Sequence, residues 1–251
     1  MADRYYRGQG KVYVAERSTA GVPLGFRWIG NCPILRTRSQ TNKIDHQESY
    51  TGRSLTDLVI ETGQKVMLTT QLEFFDQENL ALALYGTTLD QATLTVTSEA
   101  LIGYRGKSTP VRHINLSAFT SLTNDDATTT YVSGTDYTVD LKTGLISIPA
   151  TGTAITEGQA LRANYATAGY EKTATFSRAN RNIWIRFEGL NTAENDSPVV
   201  LDFYKVRLEP AASIDWIGNE LSSLELEGEV LYDALQPDGD RFYRERQLVA
   251  A

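Results

Sequence analysis

From Lys65 to Phe74 the chain alternates without a break. Val66, Leu68, Thr70, Leu72 and Phe74 fall on one face, and Lys65, Met67, Thr69, Gln71 and Glu73 fall on the other. A period of two is the signature of an extended strand with one face against a core and the other toward water. The pattern returns near the C-terminus, where Leu224, Leu226, Gly228 and Val230 alternate with Glu225, Glu227 and Glu229. Two further runs, IWIRFEGL and VVLDFYKVRL, read as strands joined by the polar loop NTAENDSP, with Pro198 placed at the start of the second. The chain is therefore expected to be mainly β. At 251 residues it has room for one sizeable β domain or for a core domain carrying an insertion.

One helix interrupts the strands. Asp76 is placed to cap it, with Phe75 and Leu80 at the hydrophobic-staple positions. The run LALALY is apolar all round, which predicts a short buried helix, and Gly86 is expected to supply its left-handed exit. From Thr87 to about Lys172 the texture changes to Thr-rich, turn-punctuated strands. YTVDLKTGLISI reads as a hairpin turning at Lys142-Thr143-Gly144, and Leu161, Ala163 and Tyr165 mark another strand. The expected organisation is a core of residues 1–86 and 173–251 with a β module inserted at 87–172.

Trp-Ile-Gly-Asn occurs twice, at 28–31 and at 216–219. The echo suggests an approximate internal symmetry of two strand pairs, 34–50 with 63–75 and 199–209 with 221–232, with both tryptophans as core anchors. The segment from Thr41 to Tyr50 is polar on both faces, with only Ile44 and Tyr50 offering burial. Such a strand gains a reason to exist if it pairs across a subunit boundary. Between the first two strands, SYTGRSLTDLVIETGQK carries Tyr50, Arg53, Leu55, Leu58, Val59 and Ile60. These are too apolar for an ordinary solvated loop, which leaves two readings: the loop folds back onto its own core, or it is a contact surface for another subunit. The last residues, PDGDRFYRERQLVAA, are expected to form an exposed arm.

The composition narrows the chemistry. A net charge of −7 argues against a dedicated DNA binder. The single cysteine, Cys32, excludes an internal disulfide framework and fits a reducing cytoplasm. The start MADRYYRGQGKVYV lacks a signal-peptide core, and no apolar run is long enough to cross a bilayer, so a soluble cytoplasmic product without membrane contact is expected. His46 and His113 have no ligand spacing around them, and Walker, Rossmann and Gly-x-Ser-x-Gly motifs do not occur. Asp125-Asp126 and Glu194-Asn195-Asp196 lack EF-hand spacing and read as solvated loops. Glu225, Glu227 and Glu229 are the best candidates for paired-carboxylate glycosidase chemistry, but three alternate glutamates on one strand are more simply a solvated face. The expectation is a protein that is not an enzyme and needs no cofactor or metal.

Taken together, GNCPILRTRSQTNKIDHQESYTGRSLTDLVIETGQKVMLTTQLEFFDQENLALALYG resembles the core of bacteriophage major tail tube proteins, and WIGNELSSLELEGEVLYD resembles that family's closing strand. The segment with YVSGTDYTVDLKTGLISI and LRANYA resembles an immunoglobulin-like decoration of phage structural proteins. The resemblance implies a β-sandwich or barrel protomer with one short helix and an inserted small β-sandwich. It also implies homohexameric rings whose subunits each give four strands to an inner barrel, stacked into a tube in the virion tail after assembly in the bacterial cytoplasm. Expected partners are further copies of the chain, tape measure, terminator and baseplate proteins, a sheath in contractile tails, and DNA in transit without specific binding. The lumen-facing candidates are Glu225, Glu227, Glu229, Lys65, Gln71 and Glu73, giving an acidic bore. The candidates for contacts between subunits or rings are Tyr50, Arg53, Leu55, Leu58, Val59 and Ile60. The tube of a phage-derived bacteriocin or a type VI secretion system shares these features. A carbohydrate-binding or glycosidase β-sandwich is the alternative of another class.

Overall fold

A computed structural model describes residues 5–247. They form a mainly β protein with one helix and fall into two compact units. One runs up to Thr87 and resumes at Thr173, and the other is Thr88–Lys172.

The first unit begins with β1 (Gly8–Glu16), the two-residue β2 (Arg27–Trp28), β3 (Ile34–Gln47) and β4 (Thr56–Leu72). Helix α1 (Gln77–Ala83) follows. Strand β5 (Thr87–Gln91) leads out to the second unit, which contains β6 (Leu94–Gly103), β7 (Ser108–Pro110), β8 (Leu116–Asn124), β9 (Thr138–Asp140), β10 (Leu145–Ser147) and β11 (Gln159–Thr167). Strand β12 (Tyr170–Ala174) pairs with β5 and brings the chain back. The first unit then closes with β13 (Asn182–Asn191), β14 (Ser197–Leu208), β15 (Leu224–Val230) and β16 (Tyr243–Gln247).

Its main sheet has the order β2-β1-β13-β14-β15-β4-β3, with β16 on β14 beside β15. The order ends at β2 and β3, so the described strands form an open sheet and not the closed barrel expected from the sequence. The sheet nevertheless curls over itself. Val12 and Val14 of β1 share one core with Leu68 and Leu72 of β4, Ile185 of β13, Phe203 of β14 and Leu226 of β15. The alternation predicted for β4 and β15 is observed in phase: Val66, Leu68, Thr70 and Leu72 are buried, as are Leu224, Leu226 and Val230. Strand β4 stops at Leu72, so Glu73 and Phe74 lie beyond it. Phe74 is exposed and packs edge-on against Trp28, with ring centroids 5.6 Å apart.

Helix α1 is capped as expected, with Asp76 Oδ1 accepting from the Asn79 N–H at 2.7 Å. Its burial is partial: Asn79 and Ala83 are buried, while Leu80, Leu82 and Leu84 are half-covered against the core. The left-handed residue at its exit is Tyr85 (φ 49), not Gly86. The Gly86 N–H reaches back to the Ala81 carbonyl at 2.8 Å, the long bond of a Schellman ending. Glycine is needed at 86 for space, since a Cβ there would lie 2.6 Å from the Ala174 carbonyl oxygen.

The two Trp-Ile-Gly-Asn segments have unrelated structures, which removes the expected internal symmetry. The first sits on β2 and the turn after it. Its Ile29 is buried, its Gly30 takes φ +87 under the Phe74 ring, and buried Asn79 donates to the Ile29 carbonyl at 3.0 Å. The second lies in an irregular loop with Ile217 96% exposed. Neither tryptophan is a core anchor, Trp28 being 45% and Trp216 71% exposed. The expected second strand pair is also slight: β15 meets β14 over three residues, Gly228–Val230, and meets β4 over its full length from Leu224 to Val230. Nor is the C-terminal segment a free arm through Gln247. Strand β16 pairs with Val199–Phe203 of β14, and Arg246 donates to the buried Asp202 carboxylate, which also accepts from Arg186 at 3.1 Å. Residues 248–251 of that expected arm lie outside the described residues.

In the second unit, two three-stranded antiparallel sheets, β7-β10-β9 and β6-β11-β8, share one core that includes Leu122, Ile146, Ile155, Leu161 and Tyr165. The hairpin expected at 137–148 is present as β9 and β10, with Gly144 at φ +70 in its turn. Asp125 is paired with Arg162 at 2.8 Å, and Asn195 and Asp196 form a left-handed turn in the first unit, so both acidic loops have structural explanations.

Candidate functional site

The most unusual part of the molecule is the far half of the β3–β4 hairpin. Strand β4 is flanked by β15 only from Val66 to Leu72, and β3 lies at the sheet edge. From Thr41 to Gln47 and from Thr56 to Gln64 the two strands have only each other as hydrogen-bonded neighbours. An isolated two-stranded ribbon is marginal in water. This one also carries apolar side chains, Ile44, Leu58, Val59 and Ile60, all about half-exposed.

The expectation that Leu58, Val59 and Ile60 belong to a loop is corrected: they are on β4, and the connecting loop is confined to residues 48–55. The first of the two readings of this segment does not hold, because these apolar side chains are exposed and do not fold back onto the core. The strand is interrupted next to Gly63 by a bulge. Asn42 pairs with Gly63 and Lys43 with Glu61, leaving Thr62 extra. A one-residue bulge reverses the phase of a strand. Even-numbered residues of β4 face the core from Val66 to Leu72, whereas beyond the bulge Ile60 and Leu58 face the other way. Opposite them in register are Ile44 and His46. One face of the ribbon thus carries Ile44, His46, Leu58 and Ile60. The other carries Lys43, Asp45, Val59 and Glu61, with Lys43 and Glu61 3.8 Å apart.

The loop that closes the ribbon is organised by Glu48, a residue that sequence reasoning missed although it opens the ESYTG stretch. Its carboxylate accepts from the N–H groups of Tyr50 and Thr51 at 2.9 Å, from the Leu55 N–H at 3.3 Å and from the Thr51 hydroxyl. Its own N–H donates to the Leu55 carbonyl at 2.9 Å. The Thr51 hydroxyl first, and these backbone donors with it, hold the carboxyl down at about 2. The loop is therefore shaped by its own hydrogen bonds, and it presents Tyr50, Arg53 and Leu55 outward. Beside this loop at the ribbon's tip, His46 Nδ1 on β3 and Asp57 Oδ1 on β4 are 2.6 Å apart.

The near half of the hairpin presents a different face. Residues opposed in an antiparallel pair share a face. Glu225 pairs with Gln71, Glu227 with Thr69 and Glu229 with Met67, and on the other side Ile34, Arg36, Arg38 and Gln40 pair with Gln71, Thr69, Met67 and Lys65. Arg207 is opposite Glu229. The expected lumen-facing residues Glu225, Glu227, Glu229, Lys65 and Gln71 do share one face. That face also holds Arg36, Arg38 and Arg207, so it is mixed in charge and not acidic. The arginines came into it through the pairing of β3, which runs so polar that its own alternation does not announce a face. Glu73 is off the strand and accepts from Asn31 Nδ2 at 2.6 Å.

The family model described as protein of unknown function UCP028589 matches residues 5–244. The chain belongs to this family. The matched span takes in the hairpin, its loop and the whole inserted unit. No curated protein matches the chain. None of the three glutamates of β15 lines the cleft of about 340 Å³ formed by Tyr5, Tyr6, Asn191, Leu201, Glu245 and Gln247. Among the described residues, no three His, Cys, Asp or Glu side chains converge as a metal site requires. Burial pushes the Cys32 thiol up to about 11, with the nearby Thr70 hydroxyl working against the shift and Glu73 adding to it, so this thiol is not poised as a nucleophile. Among the described residues, no helix is long and apolar enough to cross a membrane.

Proposed function

We propose that the protein is the subunit of a bacteriophage tail tube, assembling as homohexameric rings that stack into a conduit for DNA. The observation that carries this reading is the ribbon of residues 41–64, a shaped and partly apolar two-stranded extension with no cover of its own. An exposed apolar patch of this kind is characteristic of an interaction surface. Pairing between subunits also supplies β3 with hydrogen-bond partners along an edge that otherwise invites uncontrolled association. The consecutive strands β14-β15-β4-β3 form the wall contributed by each subunit, the curled sheet and α1 give the sandwich-like body behind it, and residues 88–172 are an immunoglobulin-like decoration.

In this reading the wall is Arg36, Arg38, Lys65, Gln71, Arg207 and the glutamates of β15. Duplex DNA carries a charge about every 1.7 Å of its axis, and a purely basic lumen would retain it by counterion release. A surface of alternating sign neither retains nor repels it strongly, since fields decay over about 8 Å at physiological salt. The protein then acts as a structural virion component, not an enzyme, working with tape measure, terminator and baseplate proteins and with a sheath where the tail contracts. The same subunit design would serve a bacteriocin or type VI secretion tube. Negative-stain microscopy of concentrated purified protein tests the proposal: rings or tubes are expected, and particles that remain monomeric would overturn it.

A further inference from the structure

We propose that the ribbon tip of one copy docks onto the loop 215–221 of the next copy, so that stacking runs along the direction of β4. This inference rests on the tube reading above and names the surface that receives the ribbon.

The two surfaces lie at opposite ends of one strand. Leu224, which ends the loop segment, pairs with Leu72 at the C-terminal end of β4, whereas the ribbon tip is at the N-terminal end. At about 3.3 Å per residue, Leu58 and Leu72 are separated by roughly 46 Å of strand. The tip therefore cannot reach the loop of its own chain, and any contact between them joins two copies. Such a contact is heterologous, and heterologous contacts propagate into rings or filaments instead of closing a dimer.

The loop is built to project. The Ala211 N–H donates to the Ala83 carbonyl at 2.8 Å and Ile214 packs against the core on one side. On the other, Gln71 Nε2 donates to Ser223 Oγ, and Ser222 Oγ closes the loop onto the Asp215 carbonyl at 2.8 Å. Between these anchors Trp216, Ile217 and Leu221 stand out, Leu221 being 93% exposed. Isolated exposed apolar residues are ordinary, but three in seven positions on an anchored loop form a patch. The tip loop supplies one complementary charge as well, on a ribbon that otherwise carries Asp45, Asp57 and Glu61 against Lys43. Arg53 is the one charged side chain within 49–55, set between Tyr50 and Leu55, while the receiving loop carries exposed Asp215 and Glu220 around its apolar residues. An aromatic and aliphatic centre with charges at its margin is the usual anatomy of a specific interface.

The test uses two full-length variants, a tip variant (Leu58→Asp with Ile60→Asp) and a loop variant (Ile217→Asp with Leu221→Asp). Thermal melts confirm that each is folded, and assembly is followed by sedimentation and negative-stain microscopy. Wild-type protein is expected to elongate, each variant alone to stop at single rings, and an equal mixture to form ring pairs that grow no further, because each variant retains the surface the other lacks. A loop variant that elongates like wild type, or a mixture that forms no pairs, would overturn the inference and leave the tube reading standing. Wild-type protein that never assembles would remove both.

Discussion

The two halves of β4 share one strand and one hydrogen-bonded partner, β3, yet they meet different surroundings. From Val66 to Leu72 the strand lies between β15 and β3 with Leu68 and Leu72 fully buried. From Thr56 to Gly63 it has β3 alone, and Leu58 and Ile60 face outward. Apolar content does not separate the halves. What separates them is the presence of a third strand and the reversal of phase at Thr62. The near half holds the protomer together, and the far half, on the proposed reading, is completed only by another copy.

The largest expected difference between the halves is in stability. Leu68→Ala should lower the unfolding free energy by about 2–5 kcal/mol, as expected for a large-to-small change in a packed core. Leu58→Ala should stay within about 0.5 kcal/mol when measured in denaturant at concentrations where the protein is monomeric. Equal losses at the two positions would mean that the ribbon is already covered within the protomer.

A smaller and more local effect is expected at the loop. Glu48→Gln should raise amide exchange at Tyr50, Thr51 and Leu55 while leaving the melting of the core unchanged, since the carboxylate serves only the loop that surrounds it. The pH dependence has a definite sign. The folded value of about 2 lies below the ordinary 4.5, so the contribution of Glu48 is fully present above about 4.5 and is lost as pH falls through about 2. Protection of these amides, after correction for the intrinsic exchange rate, should therefore persist to pH 4.5 and fall away toward pH 2. Loss already between pH 7 and 5 would exclude Glu48 as its cause.

The smallest effect is at the ribbon's polar face. Lys43 and Glu61 are both exposed and 3.8 Å apart, so Lys43→Ala should change stability by about 0.2–1 kcal/mol at most, and less in high salt. A larger loss would show that this face is buried in the assembled state rather than solvated.

Much of the near half was legible from residue order. The alternation in β4 and β15 appears in the burial of Leu68, Leu72, Leu224 and Leu226 because a single period of two needs no information from elsewhere. The Asp76 cap is equally local, a carboxylate three residues from the N–H it accepts. The far half was legible only as a composition: the apolar residues of 55–60 stood out, but they were placed in a loop because the clean alternation begins only at Lys65 and the bulge that breaks it is visible only against β3. Glu48 escaped notice because a glutamate before a turn has many possible roles until the N–H groups it accepts from are seen to converge.

The amino-acid sequence by itself determined the β character of this chain, the phase of its two most regular strands, its one capped helix and the presence of an apolar segment unsuited to a solvated loop. All of these depend on neighbours within a few residues. Only the tertiary structure decided that Trp28–Asn31 and Trp216–Asn219 are unlike, that β15 lies chiefly along β4, and that arginines of β3 share a face with the glutamates of β15. Those outcomes depend on which distant segments pair. A four-residue identity contributes little to that choice beside the burial of Ile29 in one place and the absence of any cover for Ile217 in the other.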